Sequence, residues 1–236
     1  MKLITFFFAL ALLAEQRLTL HWLVREDIFA GVLANDRARL EKGAQTLDTV
    51  AAFYPSVEVH AWRAGVEMMR AIWAHEDGKP EDFRRHYSLA MTYFDATRNA
   101  ADQKSAAIPE IFEGGIYVAT ADRLPENLRR GAWERCYLAY KKLNAMEAPR
   151  LDKLPLHMKG EVIAGLAVAT QRTGRTEELP AALEAVQTKL AGSVYANAAK
   201  KWQADPASAT KVRMACMTCH EPNTLAPTLE RIHKVN

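Results

Sequence analysis

The chain has 236 residues, of which 49% are hydrophobic and 25% charged, proportions that exclude intrinsic disorder and are typical of a globular protein. Its 31 basic and 28 acidic residues leave a net charge of +3 without a basic run, which argues against nucleic-acid binding. It contains 40 alanines against 21 valines and isoleucines, and alanine favours helices whereas β-branched residues favour strands. We therefore predict an all-α protein.

The first 14 residues have the layout of a short signal peptide. Met1 and Lys2 precede an apolar run over 3–14, and polar residues follow. Twelve apolar residues rise only about 18 Å as a helix, which is less than the roughly 30 Å core of a bilayer. We therefore expect export to the periplasm or beyond, with cleavage after Ala14 or Ala11, rather than a transmembrane anchor. The alternative is an apolar N-terminal helix that packs on the rest of the protein.

Residues 15–203 predict repeated helix pairs. Pro55, Pro109, Pro155 and Pro206 recur at intervals of about 50 residues, and glycine and proline interrupt helices for steric reasons. Turn signals lie near the middle of each interval: Asn35-Asp36, Gly78-Lys79-Pro80, Leu124-Pro125 and Thr173-Gly174-Arg175. The alternation predicts about four antiparallel helix pairs, over 18–53, 57–101, 108–148 and 156–201. Helical spacing predicts a buried stripe, and so a core role, for Trp62, Val66, Met69 and Trp73.

The region 160–190 resembles tetratricopeptide-type repeats. A helix rich in small residues (GEVIAGLAVATQ) is followed by a turn and a second helix (LPAALEAVQTKL). Gly165 lies where that family needs close helix approach. The repeat interval is nearer fifty residues than the family's thirty-four, so an irregular helical bundle stands as the alternative. The resemblance implies a scaffold for protein contacts.

Positions 216–220 read C-M-T-C-H, the C-x-x-C-H attachment signature of c-type haem. Thiols three residues apart on a helix share a face, so Cys216 and Cys219 can bond to the two vinyl groups while His220 reaches the iron. We expect a helix capped by Asp205, with Pro206 at its first position, to run through this motif.

Other interpretations of the motif are weaker. A thioredoxin-like pair needs a preceding strand, a closed zinc site needs a fourth ligand, and a Cys216–Cys219 disulfide closes a small strained ring. Cys136, within a predicted helix over 132–143, is interpreted as a buried free thiol.

Through this motif the C-terminal segment 204–236 resembles monohaem c-type cytochromes. The resemblance implies one covalent haem c, with Cys216 and Cys219 as thioether sites, His220 as proximal ligand, and electron transfer as the activity. In the commonest small cytochromes the motif lies near the N-terminus and a methionine ligand follows. Here the motif is C-terminal, as in the four-helix cytochromes, and no methionine follows His220.

The sixth iron ligand stays open at this point. His233 lies on a predicted helix near the C-terminus and is one candidate distal ligand. Met214 is a poor choice, because the predicted helix puts it on the proximal side. The remaining candidates are five-coordinate iron, methionines of the body, and four histidines: His60, His75, His86 and His157.

Two functions remain. The first is an exported electron carrier or redox subunit whose helical body docks a redox protein partner, with peripheral association to a membrane left open. The second is a non-redox binding scaffold whose C-x-x-C-H motif carries no haem. The sequence shows no catalytic motif besides C-x-x-C-H, so electron transfer is favoured over the activity of a stand-alone enzyme.

Overall fold

The computed structural model describes residues 19–210 and Met214. Over these residues the chain forms nine α-helices and no strand, which confirms the all-α prediction. The helices are α1 (Leu20–Ala34), α2 (Arg37–Val50), α3 (Ser56–Glu76), α4 (Pro80–Ala100), α5 (Ile108–Thr120), α6 (Glu126–Glu147), α7 (Leu156–Arg172), α8 (Leu179–Lys189) and α9 (Val194–Ala204). Short 3-10 helices occupy Ala51–Phe53, Ala121–Arg123, Ala148–Lys153 and Pro206–Thr210.

The predicted helix pairs are present as α1/α2, α3/α4, α5/α6 and α7/α8. Three of the turns use left-handed backbone at the expected places: Asn35 with φ 59°, Gly78 with φ 69° and Gly174 with φ 71°. The fourth pair differs from the prediction, because its second helix ends at Lys189 and a new helix begins. Gly192 supplies the turn with φ 78°, and the Ser193 hydroxyl accepts the Ala196 N–H at 3.3 Å as an N-cap.

Three helices begin in the same way, at a proline that follows a 3-10 helix. Pro55, Pro125 and Pro155 stand immediately before α3, α6 and α7. A residue before proline is sterically driven out of the helical region, and Leu124 and Leu154 are accordingly extended, with ψ of 159° and 145°. The proline positions predicted as breakers therefore act as helix starts.

The first helices of successive pairs contact one another in the order α1, α3, α5, α7. Helix α3 is buried on two faces. Trp62, Met69 and Trp73 pack in a core shared with α1 and α2, whereas Met68 and Ile72 belong to the main core, which continues to α9. The stripe predicted on this helix is confirmed as core. Stacking of consecutive pairs is the arrangement expected of a repeat-like helical fold.

The Tyr140 side chain fixes the packing of three helices. Its ring, on α6, lies between Gly114 of α5 and Gly165 of α7, and a Cβ atom at Gly114 would come within 2.8 Å of the ring. A Cβ atom at Gly165 would collide with the same ring from the other side. The Tyr140 hydroxyl donates to Glu161 Oε1 at 2.5 Å, so the buried phenol is also satisfied. The close approach expected at Gly165 is therefore an approach to Tyr140.

A second glycine on α7 sets the position of α9. A Cβ atom at Gly160 would lie 2.5 Å from the Tyr195 ring, which is buried beside it. Because only glycine leaves this space, α7 and the start of α9 come into direct contact. Within residues 19–210, no helix is both long enough and apolar enough to cross a bilayer.

We expect Gly165→Ala to destabilise the fold and Gly131→Ala to stabilise it. The first substitution forces a methyl group into the Tyr140 ring, and overpacking of this kind costs about 1–3 kcal/mol. Gly131 lies in α6, and a Cβ atom there meets no described heavy atom within 4 Å, so alanine gains about 0.5–1 kcal/mol of helix propensity. Thermal unfolding by circular dichroism measures both. Equal unfolding temperatures for the two variants would contradict the close packing of the Tyr140 ring against Gly165.

Candidate functional site

The predicted haem-attachment residues Cys216, Cys219 and His220 and the candidate ligand His233 lie outside the described residues, as does the predicted signal segment 1–14. The described residue nearest to the motif is Met214, two positions before Cys216. Its side chain is 2% exposed and packs in the main core. The chain is therefore anchored to the helical body immediately before the motif.

The approach to the motif differs from the single helix predicted from Asp205 onward. Asp205 does cap the segment, since its side chain accepts the Ala207 N–H at 3.1 Å, but residues 206–210 form a 3-10 helix. Met214 lies outside any helix. Burial of Ala209 and Met214 in the main core accompanies this departure from a regular helix. In the sequence-based prediction, Met214 is a poor ligand because a continuous helix would place it on the proximal side, and no such helix is present at Met214. A thioether packed in the core is nevertheless a poor ligand.

Cys136 is a buried free thiol, as the sequence predicted. It is 0% exposed, and its Sγ contacts the Gly114 carbonyl oxygen at 3.5 Å. Burial, and to a lesser degree the Glu161 carboxylate, raises the pKa of the Cys136 thiol well above its usual value. A neutral thiol in the core is neither a nucleophile nor accessible to a cofactor.

Three of the body histidines named as candidate iron ligands make other interactions. His86 Nδ1 pairs with Glu67 Oε2 at 2.6 Å. The His60 ring stacks on Tyr93 with centroids 5.9 Å apart, and the His75 ring lies 5.8 Å from that of Phe83. All three are carried by α3 and α4.

A histidine that sequence reasoning did not select, His21, lies close to the fourth candidate, His157. The His21 ring is 5.8 Å from that of Trp62, and Arg25 Nη1 donates to His21 Nε2 at 2.9 Å. Burial, together with the positive charges of Arg25 and His157, lowers the pKa of His21 from 6.5 to about 4. The one sequence feature that indicated burial of His21 is weak: His21 shares a helix face with the buried residues at positions 24, 25 and 28.

Buried carboxylates of the described body are paired. Glu113, 1% exposed, bonds to both Arg98 and Arg135, and Lys142 donates to Glu110 at 2.6 Å. Within residues 19–210 there is no group of three or more His, Cys, Asp or Glu side chains suited to hold a metal ion. These pairs stabilise helix packing.

A cavity of about 190 Å³ lies between α2, α3 and α4. Its two arginines already have carboxylate partners. Arg63 donates to Asp48 at 2.8 Å, and Arg70 donates to Glu41 at 2.9 Å and Glu67 at 2.6 Å. Both arginines are therefore paired within the protein.

We expect iodoacetamide to leave Cys136 unmodified in the folded protein and to modify it once the protein is unfolded in guanidinium. The thiol is buried and its raised pKa leaves little thiolate. Mass spectrometry of the peptide that contains Cys136 measures the modification. Rapid labelling under native conditions would contradict a core role.

His21 should make the protein less stable as the pH falls from about 6.5 to 4. In this window the unfolded chain binds a proton at His21 and the folded chain does not, so the free energy of unfolding falls by up to about 1.4 kcal/mol per pH unit. His21→Gln keeps an acceptor for Arg25 but cannot titrate. Urea unfolding between pH 4 and 7 should therefore show a shallower acid slope for the variant, and an unchanged slope would refute the assignment.

Comparison of the chain with protein-family models, with curated proteins and with solved structures found no match. The functional interpretation consequently depends on the residues and on the described geometry.

Proposed function

We propose that this chain is an exported, c-type cytochrome-like protein that transfers electrons through one covalently bound haem. Cys216 and Cys219 are its thioether sites and His220 is the proximal iron ligand. The helical body serves as the scaffold on which a redox protein partner docks. When bound, the haem supplies reversible one-electron chemistry at iron.

The observation that carries the proposal is the C-M-T-C-H motif at 216–220. Its donors are two thiols at the spacing that reaches two vinyl groups and an imidazole that suits iron. Met214, two residues before Cys216 in the sequence, is buried in the main core.

The third cysteine does not compete for this chemistry. Cys136 is fully buried on α6 and its pKa is raised, so it cannot exchange with the motif thiols without local unfolding. The odd cysteine count thereby divides into one structural thiol and one adjacent pair. This division favours an attachment pair over a wider disulfide framework.

Export agrees with covalent haem attachment, since in bacteria the attachment takes place outside the cytoplasm. The apolar segment 3–14 and the motif are independent features at opposite ends of the chain. Their coincidence supports a periplasmic or otherwise exported cytochrome.

The alternative function is a non-redox binding scaffold whose motif is empty of haem. The ordered contacts of α1, α3, α5 and α7 support it, because stacked helix pairs present extended surfaces to protein partners. Both functions use the same body, and haem content separates them.

The wild-type protein, produced with haem-maturation machinery, should retain haem on a denaturing gel and give the pyridine haemochrome spectrum of haem c. Cys219→Ala should lose the two-thioether spectrum, because one of the two thioether bonds is missing. Cys136→Ala is the matched control and should keep the wild-type spectrum, since that thiol is in the core. A wild-type protein without covalent haem would refute electron transfer and leave the scaffold function.

A further inference from the structure

The cavity of about 190 Å³ between α2, α3 and α4 adjoins two ion pairs that join α2 to α3. Asp48 of α2 accepts from Arg63 of α3 at 2.8 Å. Nearer the start of α2, Glu41 accepts from Arg70 at 2.9 Å. Ala44 lies three residues after Glu41 and four before Asp48, so the three share a face of α2. Because the Ala44 side chain is a single methyl group, the space beside it stays open.

Apolar groups from three helices line this cavity. They are Ala44 and Leu47 of α2, Val66 of α3 and Tyr93 of α4. The His60 ring stacks on the Tyr93 ring with centroids 5.9 Å apart and planes at 24°, which holds the Tyr93 ring in place. These surfaces suit the apolar body of a small ligand.

Arg63 is the charged group of the lining best placed to receive a ligand. Its guanidinium carbon lies 5.8 Å from the centroid of the Tyr93 ring. The side chain of its partner Asp48 is 67% exposed, and an exposed ion pair of this kind contributes little net stability. Arg63 can therefore exchange Asp48 for another carboxylate at small cost.

Arg70 is less suited to such an exchange. It bonds to two carboxylates, those of Glu41 and Glu67, and the Glu67 side chain is only 10% exposed. Removal of a partner from a buried carboxylate is costly, because the charge left behind is poorly solvated. Arg70 therefore stays with its carboxylates while Arg63 binds the ligand.

The charge balance of the lining selects a ligand with one negative charge. Arg63 and Arg70 are offset by Asp48 and Glu67. A single ligand carboxylate that replaces Asp48 at Arg63 leaves this balance unchanged, and Asp48 turns towards water. A second ligand carboxylate would add a negative charge near Glu67, and an ammonium group in place of the carboxylate would be repelled by Arg63.

We propose that this cavity binds a small monocarboxylate with an apolar or aromatic body. The carboxylate accepts hydrogen bonds from Arg63, and the body packs against Leu47, Val66 and the Tyr93 ring. A cavity of about 150 Å³ holds benzene, so the volume here admits a body of roughly that size with its carboxylate at the edge. The site lies within α2, α3 and α4 and is independent of the proposed haem chemistry.

The test titrates the full chain with benzoate and follows binding by nuclear magnetic resonance of the ligand. The wild type should bind benzoate saturably. Arg63→Gln should weaken binding at least about tenfold, because charge-assisted hydrogen bonds to the carboxylate are lost. Asp48→Asn should strengthen binding by roughly two- to fivefold, because it removes the charge that competes for Arg63.

Arg37→Gln is the matched control and should bind benzoate like the wild type. Arg37 also forms an exposed ion pair of 2.8 Å between α2 and the end of α3, with Asp77, but it does not line the cavity. Ala44→Leu should fill the cavity and abolish binding while the helical circular dichroism is kept. Benzyl alcohol, which has the ring without the charge, should bind more weakly than benzoate.

Three results would overturn the proposal: no saturable binding of benzoate to the wild type, equal affinity in Arg63→Gln, or benzyl alcohol bound as tightly as benzoate. The haem stain of a denaturing gel separates this proposal from the proposed function. Arg63→Gln should keep the wild-type stain, and a wild type without haem should still bind benzoate.

Discussion

The Tyr140 ring between Gly114 and Gly165 is the contact on which the packing of the C-terminal half depends. Protein interiors are close-packed, so a ring that fits between two helices without Cβ atoms allows little other relative placement of α5, α6 and α7. The hydroxyl bond to Glu161 fixes the ring further and pairs a buried carboxylate. Once α7 is placed, Gly160 and Tyr195 bring α9 against it. Helix α9, which precedes the C-x-x-C-H motif in the sequence, is therefore held in a constrained position.

Two cores meet at α3, and this arrangement links the ends of the described chain. The N-terminal core includes Leu20 and Trp62, and the main core includes Met214. His21 of α1 lies within the electrostatic influence of His157 of α7, and its ring packs near that of Trp62. Residues far apart in sequence thus form a region rich in histidine and aromatic side chains.

The described body keeps its own reactive groups occupied. Cys136 is enclosed, Glu113 has two arginine partners, and the arginines of the cavity between α2, α3 and α4 are neutralised by Asp48, Glu41 and Glu67. Buried polar groups that are satisfied in this way contribute stability and specificity of packing. The chemistry proposed for the protein therefore belongs to the cysteine pair and His220.

Most of the helical architecture could be predicted from the sequence, because prolines, glycines and apolar spacing act locally. The alanine content predicted the all-α class, and Pro55, Pro109 and Pro155 predicted where the helix pairs begin and end. The separate helix α9 was missed because the Gly192 turn divides the fourth pair. The 3-10 helix after Asp205 was also missed, and Ala209 and Met214 in this region are buried in the main core. The C-x-x-C-H motif is visible in the sequence alone because its spacing is local, and the haem attachment inferred from it stays a prediction. Tertiary packing decided the electrostatic interaction of His21 with His157 and the position of the Tyr140 ring between Gly114 and Gly165. Contacts between distant helices depend on side-chain shape and not on periodicity.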